Sequence, residues 1–243
     1  MRVRHVKNSG EILAASPYFE ADPARFCGRW KEKLGVERLY LEIGCGKGRF
    51  ITEMAKKNAP EAGFIGLERI SSVLCRAAER LQAEEGSSVD ALPGSPEPVP
   101  DEPEKQPERR LPIVLLREEG LDLPKLFLPG EPDGIYLNFS DPWPRARHTK
   151  RRLTSDRFLP IYEELLTGGG KAGFLQMKTD NDDLFAFSLE NLAVRGWTVE
   201  KQTDDLVNSP FACGNVRTEY EEQFVAEGRK IHYLLGFPPK RRA

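Results

Sequence analysis

An apolar strand runs into a glycine-rich turn at Leu39-Tyr-Leu-Glu-Ile-Gly-Cys-Gly-Lys-Gly48. The glycines at 44, 46 and 48 permit a tight turn and let main-chain amides approach a ligand closely. Their spacing differs from the G-x-G-x-x-G of dinucleotide-binding turns, which favours a ligand whose charged end is an amino acid rather than a pyrophosphate. Residues 49–57 then have the pattern of a helix. The sequence therefore predicts a nucleotide-type binding turn between a strand and a helix.

The same alternation of strand and helix continues along the chain. Strands are predicted at 39–43, 63–67, 113–116, 134–137 and 173–177. Helices are predicted at 49–57, 72–85, 155–166 and 184–195, the third with Thr154 or Ser155 as its N-cap. Two final runs, 220–226 and 230–236, alternate around a turn at 227–229 and suggest a hairpin. This order predicts an α/β fold with a doubly wound, mostly parallel sheet and an antiparallel edge.

The composition suits one domain with a large core. The chain has 243 residues, of which 39% are hydrophobic and 30% charged. Residues 86–110 hold six prolines and lack aromatic residues, so we expect a flexible Pro/Glu-rich insertion within a single domain spanning 1–243. The formal net charge is −2, but this insertion alone carries −3. The mean charge therefore neither supports nor excludes a nucleic-acid partner, because local clustering decides that.

Several classes of protein are disfavoured by the pattern. No apolar run approaches the roughly 20 residues that span a bilayer. The four cysteines are scattered, and with three histidines they show no metal-ligand spacing. We therefore expect a cytoplasmic protein in a reducing compartment, without a membrane segment or a metal site.

A dense cationic run follows the predicted strand at 134–137. Asp141 comes at the end of this strand, in the turn Asp141-Pro-Trp-Pro144, where the prolines stiffen the backbone. Five positive charges then fall within eight residues, namely Arg145, Arg147, Lys150, Arg151 and Arg152. Trp143 could stack on a base or simply pack the turn. A carboxylate at a strand end beside such a cluster favours chemistry on a polyanion, and nucleic acid is the obvious candidate.

Other strand ends carry carboxylates as well. Glu42 ends the first of these strands and could accept a hydrogen bond from an ammonium group, directly or through water. Glu68 ends the second strand, where a carboxylate can accept from a ribose diol. Glu118 and Glu119 end the third strand, within reach of an adenine amino group. Together with the glycine turn, these residues predict a nucleotide-like cofactor.

These motifs resemble those of the bacterial tRNA (guanine-N7)-methyltransferases, which are class I S-adenosylmethionine enzymes. The matching pieces are Leu41-Glu-Ile-Gly-Cys-Gly-Lys-Gly48, Gly66-Leu-Glu68, Asn138-Phe-Ser-Asp-Pro-Trp143, Arg147-His-Thr-Lys-Arg-Arg152, Lys178-Thr-Asp180 and Thr218-Glu-Tyr-Glu221. The match covers nearly the whole chain except the insertion, and the Asp-Pro-Trp and Arg-His-x-Lys-Arg-Arg pair is its most specific part. The resemblance implies a Rossmann-like fold with a seven-stranded, mostly parallel sheet and an antiparallel C-terminal hairpin.

The resemblance also implies a site, carried over position by position. The implied contacts to S-adenosylmethionine are Glu42, Gly44, Gly46, Gly48, Glu68, Glu119 or Glu118, and Asp141, the last also being the residue assigned to catalysis. The implied contacts to the target nucleotide are Arg145, Asp180, Thr218, Glu219, Tyr220 and Glu221. The implied contacts along the tRNA are Arg147, His148, Thr149, Lys150, Arg151 and Arg152. Arg145 stands where the family commonly has lysine, and the third acidic position is usually Asp or Asn.

The chemistry of this reaction needs little acid–base catalysis. Guanine N7 carries a lone pair and no proton at neutral pH, so a nucleophile need not be generated. The enzyme has to align the reacting atoms and stabilise positive charge on the purine, a task that suits a fixed carboxylate such as Asp141. Asp180 or Glu221 could accept hydrogen bonds from guanine N1 and N2. Because a deep A-form groove is hard to enter, the base is expected in a loop, which in the family is the variable loop, or extruded.

Two other classes of protein fit parts of the pattern. An NAD(P) dehydrogenase of Rossmann type is disfavoured by the glycine spacing and by the lack of a hydride-transfer constellation. An RNA-binding module with a vestigial cofactor fold is disfavoured because every required acidic strand end is present. Titration with S-adenosylmethionine separates the second alternative from an enzyme.

Overall fold

The fold is that of a computed structural model, in which residues 5–87, 110–168 and 171–240 are described. The helices are α1 (Ser9–Ala15), α2 (Trp30–Leu34), α3 (Arg49–Asn58), α4 (Ser71–Ser87), α5 (Leu123–Leu126), α6 (Leu159–Leu166), α7 (Asp182–Val194) and α8 (Glu219–Ala226). The strands are β1 (Arg38–Ile43), β2 (Ala62–Leu67), β3 (Ile113–Leu116), β4 (Gly134–Asn138), β5 (Thr167–Gly168), β6 (Lys171–Ala172), β7 (Phe174–Thr179), β8 (Thr198–Thr203) and β9 (His232–Phe237). Short 3₁₀ helices lie at Pro23–Phe26, Ala146–Arg151 and Pro210–Ala212. Most of the predicted insertion at 86–110 lies outside the described residues, so its flexibility and the one-domain organisation stay predictions.

Seven strands of the described chain form one sheet. Their order is β3-β2-β1-β4-β7-β9-β8, and β5 and β6 form a separate two-stranded ladder. β3, β2, β1, β4 and β7 are parallel, whereas β9 runs antiparallel to both of its neighbours. The mostly parallel sheet with antiparallel C-terminal strands is confirmed. The strand order reverses between β1 and β4, where ligands gather in folds of this type.

Helices cover both faces of the sheet because its strands are apolar on both sides. Leu39 and Leu41 of β1 belong to one core cluster, together with residues of α5, α6 and α7. Tyr40, between them, packs against the second cluster, to which α3 and α4 contribute. Side chains alternate between the faces of a strand, so a strand buried on both sides needs such a continuous apolar run. β2 follows the same rule, with all six of its residues buried.

The predicted C-terminal hairpin is wrong in its first strand. Residues 220–226 lie in helix α8, which begins after Thr218. The Thr218 hydroxyl accepts a hydrogen bond from the Glu221 main-chain N–H at 3.0 Å, which is the N-terminal bond of a capping box. The outer antiparallel partner of β9 is instead β8, a strand that the sequence analysis did not assign. β8 lies at the edge of the sheet and carries mostly polar residues, so it gave only a weak strand signal.

Two predicted helix starts also differ from the structure. α6 begins at Leu159 rather than at 155, and Phe158 occupies its N-cap position. Neither proposed cap acts as one, because the Ser155 hydroxyl donates to the Lys150 carbonyl at 3.0 Å and the Thr154 hydroxyl bonds that of Ser188 at 2.7 Å. α7 begins earlier than predicted, at Asp182, because the Asn181 side chain accepts from the Leu184 N–H at 2.8 Å.

Candidate active site

The carboxyl ends of five parallel strands bring most of the predicted site residues to one edge of the sheet. Glu42 is the second-last residue of β1, Glu68 directly follows β2, and Asp141 follows β4. Asp180 follows β7 in the same way. Because these strands are parallel and adjacent, their ends form a single rim across the β1/β4 crevice. We call this edge the acidic rim.

The glycine turn is fixed to the neighbouring strand and faces open space. The main-chain N–H groups of Gly44 and Cys45 both donate to the Leu67 carbonyl, at 2.8 and 3.0 Å. Gly44 and Gly46 have φ values of 80° and 57°, a left-handed conformation that glycine adopts without strain. A Cβ atom added to either residue would meet no other atom within 4 Å. The turn therefore leaves room for a ligand directly against its backbone.

Glu42 is a buried carboxylate with one oxygen that lacks a hydrogen-bond partner among the described residues. The residue is 2% exposed, and its Oε1 atom accepts a hydrogen bond from Asn138 Nδ2 at 2.8 Å. Its Oε2 atom is also buried and has no hydrogen-bond partner among the described residues. Burial raises the pKa of Glu42 to about 7, against the opposing influence of Asn138 and Lys178. An unmatched buried acceptor of this kind is rare in folded proteins and indicates a missing donor.

Of the acidic residues predicted at the ends of β2 and β3, Glu68 and Glu119 lie on the rim and Glu118 does not. The Glu68 Oε1 atom accepts from the Ile70 N–H at 2.9 Å, and burial raises the pKa of Glu68. Glu119 is exposed and lies 3.9 Å from the guanidinium of Arg69, the residue next to Glu68. Glu118 instead lines a cavity of about 230 Å³ with residues of the N-terminal segment. This geometry favours Glu119 as the third acidic residue of the rim.

The turn that carries Asp141 is held in an uncommon conformation. Phe139 and Trp143 have φ values of 51° and 40°, which are unusual for residues other than glycine and concentrate at functional sites. The Arg152 Nε atom donates to the Pro142 carbonyl at 2.8 Å, and its guanidinium lies 4.5 Å from the Phe187 ring centroid. Arg152 is therefore buried beneath the turn, whereas Asp141 is exposed. Arg152 is predicted to lie along the RNA, and its buried position does not fit that role.

The remaining cations of the run stay at the surface. Arg145, Arg147, Lys150 and Arg151 are exposed, the last three within the 3₁₀ helix Ala146–Arg151. The Arg151 guanidinium lies 4.8 Å from the Trp143 ring centroid, and the His148 ring packs against the same indole at 5.7 Å. Trp143 thus packs the turn, one of its two predicted alternatives. The half-buried Thr149 donates its hydroxyl hydrogen to the Ala146 carbonyl at 2.9 Å.

Behind the rim lies a buried ion pair that the sequence analysis did not predict. Lys178 and Glu221 have fully buried side chains, with Nζ and Oε2 2.6 Å apart. Lys178 Nζ also donates to the Val216 carbonyl at 2.8 Å and to Asn215 Oδ1 at 3.2 Å. Asn215 Nδ2 in turn donates to Glu221 Oε1 at 2.5 Å. Burial lowers the pKa of Lys178, and Glu221 opposes this shift.

This ion pair distinguishes Glu221 from Asp180, the two residues predicted to accept hydrogen bonds from guanine. Both oxygens of Glu221 are engaged inside the protein, so a hydrogen bond from Glu221 to a base would have to compete with these contacts. Asp180 lies nearer the surface, 16% exposed, with its Oδ2 atom 2.5 Å from Arg229 Nη2. The geometry favours Asp180 as the acceptor that a base can reach.

The first turn of α8 lies against the glycine turn. Glu219 pairs with Lys47 at 3.3 Å and with Arg80, while Glu222 pairs with Arg49. Tyr220 is 45% exposed, and its ring centroid lies 6.4 Å from that of Phe139. The predicted segment 218–221 and the glycine turn are therefore adjacent, as a shared site for cofactor and nucleotide requires.

The doubly wound sheet, with its glycine turn after β1 and its acidic strand ends, has the fold of the class I methyltransferases. Solved structures show the same fold at low identity. The 16S rRNA methyltransferase KamB has a TM-score of 0.57 at 13% identity, covering 85% of this chain and 91% of that one. A 16S rRNA (adenine(1408)-N(1))-methyltransferase from Catenulisporales acidiphilia has a TM-score of 0.53 at 13% identity, covering 92% of this chain and 94% of that one.

No helix in the described part of the chain is long and apolar enough to cross a bilayer.

Sequence comparison adds the family. Residues 37–234 match the family model Methyltransf_4, described as "Putative methyltransferase". A tRNA (guanine-N(7)-)-methyltransferase of Lachnoclostridium phytofermentans is 41% identical over 99% of this chain and 100% of its own length. Relatives of the same name from a Geobacillus species and from Brevibacillus brevis are 40% and 37% identical, over 100% and 96% of this chain and 98% and 96% of their own lengths. The chain belongs to the tRNA (guanine-N7)-methyltransferase family.

Proposed function

We propose that this protein transfers a methyl group from S-adenosylmethionine to N7 of a guanine in the variable loop of tRNA. The observation that carries the proposal is the acidic rim. It brings the glycine turn, the buried carboxylate of Glu42 and the turn of Asp141 to one crevice, beside a surface of exposed cations. tRNA is a cytoplasmic polyanion, so we infer a cytoplasmic enzyme.

The residues present fit S-adenosylmethionine. The unmatched Oε2 atom of Glu42 suits a cationic amino group, and the open space before Gly44 and Gly46 suits a close approach to the backbone. Glu68 and Glu119, at the next two strand ends, would accept from ribose hydroxyls and from the adenine amino group. When bound, the group supplies a methyl carbon activated by a sulfonium.

Asp141 has an electrostatic task in this proposal. The guanine N7 lone pair attacks without prior loss of a proton, so a general base is not needed. Positive charge accumulates on the purine as the bond forms, and a fixed carboxylate beside it lowers the energy of that state. The bond from Arg152 to the Pro142 carbonyl helps hold the turn of Asp141, including the uncommon backbone conformation of Phe139 and Trp143. Asp180 would accept from the guanine N1 and N2 groups, which adenine does not offer in the same pattern.

The tRNA would bind along the exposed cations. Arg145, Arg147, Lys150 and Arg151 offer positive charge to phosphates without reading sequence. The half-exposed Tyr220 ring lies beside that of Phe139, close in the chain to Asp141. A base displaced from a loop could enter here, since the target atom is not reachable inside a deep A-form groove.

The test is a product-mapping experiment. Purified protein is incubated with unmodified tRNA and a methyl-labelled donor, and the product is cleaved with aniline, which reports N7-methylguanosine. We expect one cleavage position in the variable loop, strongly reduced label with Asp141→Asn, and undiminished label with the control Asp156→Asn, whose side chain is 77% exposed. Label at another base, or undiminished transfer by Asp141→Asn, would contradict the proposal.

A further inference from the structure

A second unmatched acceptor lies beside Glu42. Asn138, the last residue of β4, is 7% exposed, and its side-chain nitrogen donates to Glu42 Oε1 at 2.8 Å. Only the nitrogen of an asparagine amide can donate, so this bond fixes the orientation of the amide. The Oδ1 atom of Asn138 is buried and, like Glu42 Oε2, has no partner among the described residues. Two acceptors on one hydrogen-bonded pair of side chains therefore lack donors among the described residues.

The nearby lysine cannot supply the missing donor. Lys178 pairs with Asn138 in the β4–β7 register, and its charge acts on Glu42. Its ammonium group has three hydrogens, and its three contacts already go to Glu221, Asn215 and the Val216 carbonyl. The charge of Lys178 is likewise matched by Glu221. Among the described residues, the Glu42 carboxylate thus has no cation of its own.

The chemistry of the missing ligand group follows from these two facts. Two acceptors require a group with at least two hydrogens to donate, and a buried carboxylate requires a positive charge. A protonated primary amine provides both in one group. A hydroxyl or an amide would leave the charge of Glu42 uncompensated.

We propose that Asn138 Oδ1 and Glu42 Oε2 together bind the protonated α-amino group of the methyl donor. Asn138 is then a cofactor-binding residue in addition to orienting Glu42. This inference rests on the proposed function, because it assumes a donor with an amino acid moiety. It goes further by making recognition of the amino group depend on β4 as well as on the glycine turn.

The experiment compares two ligands that differ only at this group. Isothermal titration calorimetry at pH 8 measures binding of S-adenosylhomocysteine and of its analogue with hydrogen in place of the α-amino group. We expect the wild type to prefer the amine by roughly a hundredfold, since each hydrogen bond to a charged group is worth about tenfold or more. Asn138→Ala should weaken binding of the amine by about tenfold and leave binding of the analogue unchanged.

The outcomes distinguish this inference from the proposed function. If the wild type binds neither ligand, the proposed function itself fails. If it binds both equally, the proposed function stands and the amino-group site is refuted. If Asn138→Ala loses the same factor for both ligands, Asn138 has a structural role only, and the inference is also refuted. Asn58→Ala, which removes a half-buried asparagine bonded to the Met54 carbonyl, is the matched control and should change neither affinity.

Discussion

Replacing Glu42 by glutamine tests whether the buried carboxylate destabilises the fold. The pKa of Glu42 is raised from its ordinary 4.5 to about 7 because burial disfavours the charged form. A carboxyl with a higher pKa in the folded than in the unfolded chain binds more protons when folded. Its contribution to the free energy of unfolding is therefore highest below pH 4.5 and is lost as the pH rises to 7. A shift of this size corresponds to roughly 3 kcal/mol, at about 1.4 kcal/mol per pH unit.

Glutamine keeps the shape of the side chain and stays neutral at every pH. Glu42→Gln should therefore match the wild type near pH 5 and exceed its free energy of unfolding by up to roughly 3 kcal/mol at pH 8. Urea unfolding followed by circular dichroism at pH 5, 6, 7 and 8 measures the difference. The same variant should bind S-adenosylhomocysteine more weakly at pH 8, because the amide no longer offers a negative charge.

The control is Glu11→Gln, which neutralises an exposed glutamate of α1. Its effect on the free energy of unfolding should be small over the same pH range. A difference between wild type and Glu42→Gln that does not grow from pH 5 to pH 8 would refute the reasoning, because the buried charge would then carry no cost. A large pH-dependent effect of Glu11→Gln would show that the trend does not come from burial.

Three further substitutions test other parts of the site. Arg152→Met, which removes the charge and keeps much of the length of the side chain, should lower kcat of the proposed methyl transfer but leave the salt dependence of tRNA binding unchanged, because Arg152 binds the Pro142 carbonyl and not phosphate. Filter binding at several salt concentrations measures the salt dependence. Lys178→Met should lower the free energy of unfolding by about 3–5 kcal/mol in urea titrations, because it leaves Glu221 as an unpaired buried charge. Gly48→Ala should cost about 2–4 kcal/mol in thermal unfolding, because φ is 76° and the new Cβ would lie 2.9 Å from that of Ala77.

Each of these has a matched comparison. Arg151→Ala should reduce the slope of log affinity against log salt by about 1, and an equal reduction by Arg152→Met would place Arg152 on the RNA. Adding Glu221→Gln to Lys178→Met should recover part of the lost stability, and no recovery would count against the buried pair as the cause. Gly228→Ala has a similar φ of 74° but meets no atom within 4 Å, so an equal cost at both glycines would leave the Ala77 contact without effect.

The central strands were predictable because each is buried on both faces. β1, β2, β3 and β4 read as short apolar runs, and their observed bounds agree with the prediction to within one residue. β8 failed this test because its edge position leaves alternate residues exposed, so its sequence Thr-Val-Glu-Lys-Gln-Thr has no apolar run. Residues 220–226 were misassigned from an apparent alternation, although Thr218 and Glu221 have the spacing of a capping box. The sequence thus contains a local signal for a helix, and in the folded chain this signal outweighs the alternation.

Some site residues could likewise be placed from the sequence, whereas the positions of others depend on tertiary contacts. Glu42, Glu68 and Asp141 could be placed on one rim because parallel strands end together, whatever their side chains do. The inward position of Arg152 and the pairing of Lys178 with Glu221, 43 residues away in the chain, depend on tertiary contacts. A cluster of charges in sequence does not reveal which members are solvated. The geometry favours Glu119 over Glu118 through another tertiary contact, that of Glu119 with Arg69, the neighbour of Glu68.

The position of β9 has a consequence for synthesis of the chain. Among the described strands β9 is the last to be synthesised, yet it lies between β7 and β8 and pairs with both. A nascent chain that has not yet released residues 232–237 therefore exposes two unpaired strand edges, the kind of surface that associates with other chains. Closure of the sheet, and with it the final placement of Lys178 on β7, has to wait until residues 232–237 have been synthesised.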